Sequence, residues 1–396
     1  MSDTKLPKQY LPLSRLLLQS GAENQLSDGN SFEIITSGLR MRELLLEDIR
    51  KAKSFIHLEY YRFGNDKAGK EVRDLLEQKA AEGVEVRLLN NNLSCWLTIP
   101  STYFKNMTRK GVEVIPFTHI RHGLEKWLYR INHQQHRKVV VIDGQVAYTG
   151  GMNLNDNYFY KWRDTHLRLT GPVVSALNAS FIESWKDSDG RMSYPSAHYF
   201  PQPVAEADAP FTGKSVQIVM DSPRAEESSM LLAYEWILRN ANDYVYLQTP
   251  YFAPPPRLLA ALKETARRGV DVRLMLPKSM DTPFMASTNR SYYRELMEAG
   301  VKLLERDGAF IHCKTLVADD GISVIGASNL DWRSFYLNYE SNVIIYDRQT
   351  ALSCKAIFHE SDQEDVKELQ LEQWLSGRKW YQTAWSSFMR HFYRML

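Results

Sequence analysis

Two short segments place the same reactive side chains at the same spacing: His136, Lys138 and Asp143 in HRKVVVIDG, and His312, Lys314 and Asp319 in HCKTLVADDG. One offset of 176 residues connects all three pairs, and it also connects Gly150 to Gly326, Asn153 to Asn329 and Asp164 to Glu340. A single such motif is a weak signal; two in register, with a downstream amide and acid, point to a duplicated constellation. Two imidazoles, two ammonium groups and two amides, with no set of metal ligands, suit transfer of a phosphodiester. Lysines and amides hold the negative charge on phosphoryl oxygens through the transition state. One neutral His attacks phosphorus in line and forms a phosphohistidine. The other gives its proton to the leaving alkoxide, and the roles reverse in the second displacement. No cofactor and no metal are expected.

Strand geometry sorts these residues. Positions two apart share a face, so His136 and Lys138 point together, as do His312 and Lys314, while Arg137 and Cys313 turn away. Asp143 and Asp319 stand at odd spacing from their histidines. Within the candidate catalytic set they are expected to fix a turn, not to meet substrate. Asp143-Gly144 reads as a hairpin turn, and Asp320-Gly321 as its counterpart in the second copy. The returning strands bring Asn153 and Asn329 back, through loops loosened by Gly150-Gly151 and Gly326-Ala327. Asp164 and Glu340, one strand further, are placed to hold an imidazole N–H and set its tautomer.

The elements that must position this set are also duplicated. FIHLEYYRF (Phe55 to Phe63) and YVYLQTPYF (Tyr244 to Phe252) read as apolar strands, each followed by an amphipathic helix, over Lys67 to Glu82 and Arg257 to Arg268. Gly83 and Gly269 end these helices and open the strands GVEVRLL and GVDVRLM; GVEVIP at Gly111 and GVKLLE at Gly300 come next. Alternating strands and helices argue an α/β fold. We expect two similar α/β units, each a mixed sheet flanked by helices, facing each other across a pseudo-two-fold axis. The expected boundaries are an N-terminal segment 1–27, a first repeat 28–200, a Pro- and Ala-rich linker 201–213, a second repeat 214–362 and a C-terminal segment 363–396.

The 396 residues are 44% hydrophobic and 24% charged, ordinary for a soluble chain with a good core. A net charge of +2 gives no global field toward polyanions, which counts against nucleic acid as a partner. Cys95, Cys313 and Cys354 are odd in number and widely spaced, which fits a reducing compartment and small buried side chains. No apolar run reaches transmembrane length and the N-terminus lacks the order of a signal peptide, so any membrane role is expected to be peripheral.

On the segments His136 to Tyr158, Tyr246 to Pro255 and His312 to Glu340, with Asp28 to Gly38 as an opening strand, the chain resembles the phospholipase D superfamily, whose hallmark is a duplicated HxKx4D motif. Within it the chain is most similar to bacterial cardiolipin synthases. The resemblance covers roughly residues 24 to 362. It implies metal-independent transfer of a phosphatidyl group: two phosphatidylglycerol molecules give cardiolipin and glycerol. It implies His136 as nucleophile, His312 as general acid and base, and Lys138, Lys314, Asn153 and Asn329 as phosphate ligands. Lipid substrates require an interface, and with no run of transmembrane length the expected partner is an anionic membrane surface, met peripherally at the cytoplasmic face of a bacterial cytoplasmic membrane. Two departures stand out. Many family members begin with two transmembrane helices, which this sequence lacks. The second motif reads Gly326-Ala327-Ser328-Asn329, with Ser328 the nearest hydroxyl for a phosphate contact that the family makes directly after the glycine. A nuclease of the same superfamily and an inactive lipid-binding scaffold are the competing readings.

Two segments could reach lipid. Gly377 to Leu396 sets Tyr381, Trp385, Phe388, Phe392 and Leu396 along one helical stripe beside Arg378, Lys379, Arg390 and Arg394, the composition of an interfacial helix. Arg121 to Arg130 sits in a stretch where the first copy is longer: 25 steps separate Gly111 from His136, against 12 from Gly300 to His312. A lid or lipid-dipping loop is expected there.

Overall fold

Runs of Val, Ile, Leu and Tyr that favour extended backbone alternate with helices along the whole chain. The computed structural model describes residues 6–21, 23–91, 99–117, 123–360 and 365–392; Cys95, Arg121, His122, Arg394 and Leu396 lie outside them. In chain order the strands are β1 (Leu26–Ile35), β2 (Phe55–Tyr60), β3 (Glu85–Asn90), β4 (Glu113–Pro116), β5 (Lys138–Ile142), β6 (Val146–Gly150), β7 (His166–Thr170), β8 (Phe211–Asp221), β9 (Tyr244–Gln248), β10 (Phe252–Ala253), β11 (Asp271–Pro277), β12 (Lys302–Arg306), β13 (Thr315–Ala318), β14 (Ile322–Gly326), β15 (Leu330–Asp331), β16 (Glu340–Ile345) and β17 (Val366–Glu368).

Fifteen strands form one mixed sheet in the order β17-β12-β11-β9-β13-β14-β16-β8-β1-β7-β6-β5-β2-β3-β4. Outward from the centre, the run β1-β7-β6-β5-β2-β3-β4 repeats as β8-β16-β14-β13-β9-β11-β12. The strand directions repeat too. β2-β3-β4 and β9-β11-β12 pair in parallel, while the motif strands form antiparallel hairpins, β5-β6 and β13-β14. The two runs join through the antiparallel pair β1-β8, as a pseudo-two-fold between them requires. The sheet curls at that seam, so Thr149 Oγ1 on β6 and Ser341 Oγ on β16, four strands apart in the ladder, lie 3.2 Å apart.

Three apolar clusters result. Two are the outer cores between each half-sheet and its own helices. The third lies between the halves, where Val139, Val141, Val317 and Ile325 meet Phe181 and Trp185 of the helix Val173–Asp187. The alternation along β5 is the reason: Val140 and Ile142 belong to the outer core and Val139 and Val141 to the central one. The helices after β2 and β10 span Lys67–Ala81 and Pro256–Arg267, one residue from the expected limits, and Gly83 and Gly269 close them at φ of 92° and 91°.

The N-terminal segment is not a separate appendage. Its helix Leu11–Ser20 buries Leu13 and Leu17 in the outer core of the second half. Asn24 then fastens it there: Nδ2 donates to Ser229 Oγ at 2.8 Å, and Oδ1 accepts from Met220 N at 2.9 Å. Only from β1 onward does the chain build the first half. β8 starts at Phe211, inside the stretch read as a linker.

Candidate active site

The two motif segments are held by the opposite halves of the chain. His136 N donates to Tyr339 O at 2.9 Å and His312 N to Arg163 O at 2.7 Å, within the short parallel bridges Gln135–Tyr339 and Arg163–Ile311. The residue following each bridging partner is an acid, and it meets the histidine from across the seam. His136 Nδ1 lies 2.9 Å from both carboxylate oxygens of Glu340. His312 Nδ1 lies 2.7 Å from Asp164 Oδ2. An N–H on Nδ1 directed at a carboxylate leaves Nε2 with the lone pair.

Lys138 Nζ donates to the His136 carbonyl at 2.7 Å, and Lys314 Nζ to the His312 carbonyl. Lys314 Nζ also sits 2.6 Å from His312 Nδ1 and 3.1 Å from Nε2. One nitrogen cannot donate to Asp164 and accept from Lys314 together; the buried carboxylate needs the donor more, so we assign the N–H to Asp164. Burial dominates the charge states of the whole group. It pushes Lys138 down to about 7 and Lys314 to about 8, and raises Asp164 to about 6 and Glu340 to about 7. Both imidazoles fall well below their ordinary value, through burial first and then through the neighbouring lysines. Neutral imidazoles beside ammonium groups are what a nucleophile and an anion site require.

Asn153 and Asn329 follow β6 and β14 in loops pressed tightly onto β7 and β16. A Cβ at Gly150 would lie 2.7 Å from His166 Nδ1, and one at Gly326 only 2.0 Å from Asn342 Oδ1. His166 and Asn342 are themselves related by the 176-residue offset, and each accepts the N–H of the residue before its asparagine: Met152 N at 3.3 Å and Ser328 N at 3.2 Å. This second duplicated support was not singled out in the sequence, although the same register carries it. Asn153 Oδ1 accepts from Arg62 N at 3.1 Å and its Nδ2 donates to Tyr158 Oη at 2.8 Å. Asn329 Oδ1 is buried with no hydrogen-bond partner among the described residues.

Asp143 and Asp319 serve the turns, as strand parity predicts, and do not line the cavity; two other expectations change. Asp143 accepts from the N–H groups of Lys53, Ser54 and Phe55 at 2.8–2.9 Å, and Asp319 from those of Asn242, Asp243 and Tyr244 at 2.8–3.0 Å. The second turn is centred on Asp319-Asp320, both at positive φ (50° and 49°), not on Asp320-Gly321. Asp320 tolerates the left-handed region because Tyr244 Oη donates to its carboxylate at 2.8 Å. Ser328 turns from the site: its Oγ accepts from Asn342 Nδ2 at 2.6 Å.

A cavity of about 580 Å³ brings His136, His312, Asn153 and Asn329 onto one wall, joined by Tyr61, Arg62 and Arg333. Lys138, Lys314, Asp164 and Glu340 are buried and do not line it. The rim is apolar on two sides. The helix Gly123–Asn132 exposes Leu124 and Leu128 and sends Ile131 to the cavity. The helix Pro283–Ser291 exposes Phe284 and turns Met285 inward. Against that second helix packs the C-terminal helix Trp380–Arg390, with Ser386 buried and Trp380, Tyr381, Trp385 and Phe388 half or more exposed. No helix of the described residues is long and apolar enough to cross a membrane.

Paired half-sheets that bring two His-x-Lys motifs to one cavity define a phospholipase D-like protein. A family described as "Cardiolipin synthase, PLD-like domain" matches residues 45–185 and 235–361. The cardiolipin synthase of Listeria monocytogenes serotype 4b (strain CLIP80459) is 36% identical over the whole of this chain and 80% of its own length. Cardiolipin synthase 1 of Staphylococcus epidermidis (strain ATCC 35984) is 36% identical over 91% of this chain and 73% of its own. The chain belongs to the cardiolipin synthase family. Its fold is that of the phosphatidylserine synthase of Haemophilus influenzae Rd KW20, which superposes with a TM-score of 0.67 over 97% of both chains at 15% identity.

Proposed function

We propose that this protein transfers a phosphatidyl group from one phosphatidylglycerol molecule to another, giving cardiolipin and glycerol. The observation that carries this reading is the pair of crossed His–carboxylate contacts on one cavity, in a chain of this family. His136 Nε2 attacks the donor phosphorus. His312, which takes up a proton on Nε2 as the anionic phosphodiester binds beside it, gives that proton to the departing glycerol oxygen and returns to the neutral form, with Asp164 holding its Nδ1–H throughout. In the second half-reaction His312 takes the proton of the acceptor's primary hydroxyl, that oxygen bonds to phosphorus, and the P–N bond to His136 breaks. Asn153, Asn329, Lys138 and Lys314 carry the charge of the phosphoryl oxygens; Lys314 Nζ, 3.1 Å from His312 Nε2, already stands within reach of a group at that nitrogen.

Long-chain lipids must enter from an interface. The exposed Leu124, Leu128 and Phe284 beside the cavity, with the aromatic face of Trp380–Arg390 attached to the same wall, support peripheral seating on a bilayer; the bilayer we propose is anionic, the cytoplasmic face of the bacterial cytoplasmic membrane. Lys379, exposed beside Trp380, adds a cation to that face. The unit limits we propose shift the sequence reading to the strand ends, with a first unit from β1 at Leu26 to about residue 200, a second from β8 at Phe211 to about residue 362, and the N-terminal helix fastened to the second unit.

Purified protein with labelled phosphatidylglycerol and excess chelator tests the reading. Cardiolipin and glycerol should form in equal amounts, and both products should vanish in His136→Ala and His312→Ala. Turnover only on adding metal, or cleavage of DNA without lipid turnover, would contradict it.

A further inference from the structure

The cavity holds a cation that the transfer chemistry above does not use. Arg62 follows β2 and lines the cavity. Its backbone N–H is taken by Asn153 Oδ1, but its guanidinium hydrogen-bonds no described residue. An arginine left without a carboxylate, in a chain where most buried or half-buried arginines find one, presents a planar fork of donors to whatever enters. Its position in the site is specific. From the backbone N–H of Arg62 a chain of contacts runs through Asn153 to Tyr158 Oη and on to His312 Nε2, at 3.1, 2.8 and 3.4 Å, so the main chain from which the Arg62 side chain enters the cavity lining is tied to the His312 side. The other cavity arginine, Arg333, sits elsewhere: its Nη2 donates to Asn132 O at 2.7 Å, and its charge is among those felt by His136.

Chemistry says what an anion site on the His312 side would hold. In-line displacement puts the leaving glycerol opposite the nucleophile, beside the acid His312. The acceptor hydroxyl must later occupy the place that the glycerol left. When the acceptor is itself a phosphatidylglycerol, its own phosphodiester sits one glycerol bridge beyond that hydroxyl. Water or a simple alcohol carries no such group.

Resting on the synthase reading, we propose that Arg62 binds the phosphodiester of the acceptor lipid and so directs the intermediate toward a second phospholipid instead of water or a small alcohol. No bond of the reaction changes. Arg62 adds a charge-assisted hydrogen bond to a group that does not react.

Competition between acceptors tests this. The protein is given labelled phosphatidylglycerol in mixed micelles with a fixed excess of ethanol, and the ratio of cardiolipin to phosphatidylethanol is measured. Arg62→Gln should lower that ratio about tenfold or more, the scale of one lost charge-assisted hydrogen bond. Arg62→Lys should restore part of it. Arg333→Gln should keep the ratio. Thermal melting of each variant shows whether it folds. An unchanged ratio in Arg62→Gln, or a fall in Arg333→Gln alone, would overturn the proposal. A wild-type chain that forms phosphatidylethanol but never cardiolipin would overturn the synthase reading, and the acceptor site with it.

Discussion

His136 is held by Glu340, a carboxylate 204 residues away on the other half of the chain, and His312 is held by Asp164 in the reciprocal way. Neither half therefore contains both a motif histidine and the carboxylate that holds it. The exchange explains why one chain carries both copies: each imidazole takes its tautomer and orientation from the partner copy, and the β1–β8 seam keeps the two in reach.

The two acids should fail differently. Glu340→Gln removes the negative charge that holds the His136 Nδ1–H and sets an amide donor beside it, so formation of the intermediate slows, and the first release of glycerol with it. Asp164→Asn acts on the acid and base, so both glycerol release and acceptor attack slow. In each, kcat should drop about a hundredfold to ten-thousandfold, the scale seen when an orienting carboxylate is neutralised. Rapid-quench measurement of glycerol and cardiolipin from the same samples separates the two patterns.

The activity should have an alkaline limb that ordinary lysines would not produce. Lys138 and Lys314 are pushed down by burial to about 7 and about 8. A lysine is ammonium only below its value, so raising the pH through this window removes the positive charge proposed to meet phosphate. We expect kcat/KM to fall above about pH 7–8, and the limb in kcat to lie higher, because a bound phosphodiester favours the charged lysines. A kcat/KM profile flat to pH 9.5 would contradict this.

Asp143 should matter to folding and not to chemistry. Asp143→Ala frees three N–H groups at the start of β2 and puts alanine at φ 53°. We expect a loss of about 1–3 kcal/mol in urea unfolding, with kcat of the folded protein close to that of the wild type. Asp319→Ala should behave alike at β9.

The aromatic face should govern lipid binding. Trp385 and Phe388 are 52% and 53% exposed, so Trp385→Ser with Phe388→Ser removes apolar surface without opening the core. Sedimentation with phosphatidylglycerol vesicles should weaken about tenfold or more, while turnover of a short-chain soluble substrate persists. Equal binding by the variant would place the membrane contact elsewhere.

Much of the site was legible because duplication makes weak signals strong: the 176-residue register marked both histidines, lysines and asparagines, and strand parity sent Asp143 and Asp319 to the turns. The crossing of Asp164 and Glu340 was not legible. An offset compares positions between copies and says nothing of which copy touches which. The second turn was misplaced by one residue because glycine is the usual signal for positive φ, and Gly321 masked Asp320, whose strain Tyr244 offsets through a contact formed only in the folded chain. The docking of Leu13 and Leu17 on the second half is likewise a product of topology; the amphipathic pattern of that helix names a buried face but no partner.

The claim beneath all of this is that both imidazoles serve a single phosphorus atom, with His136 forming the covalent bond. Mass mapping of acid-labile adducts after rapid quenching of the wild-type protein with phosphatidylglycerol tests it most directly. A phosphatidyl group on His136, absent from His136→Ala, is the expected result. An adduct on His312 of the wild type, or steady turnover by His136→Ala, would contradict it.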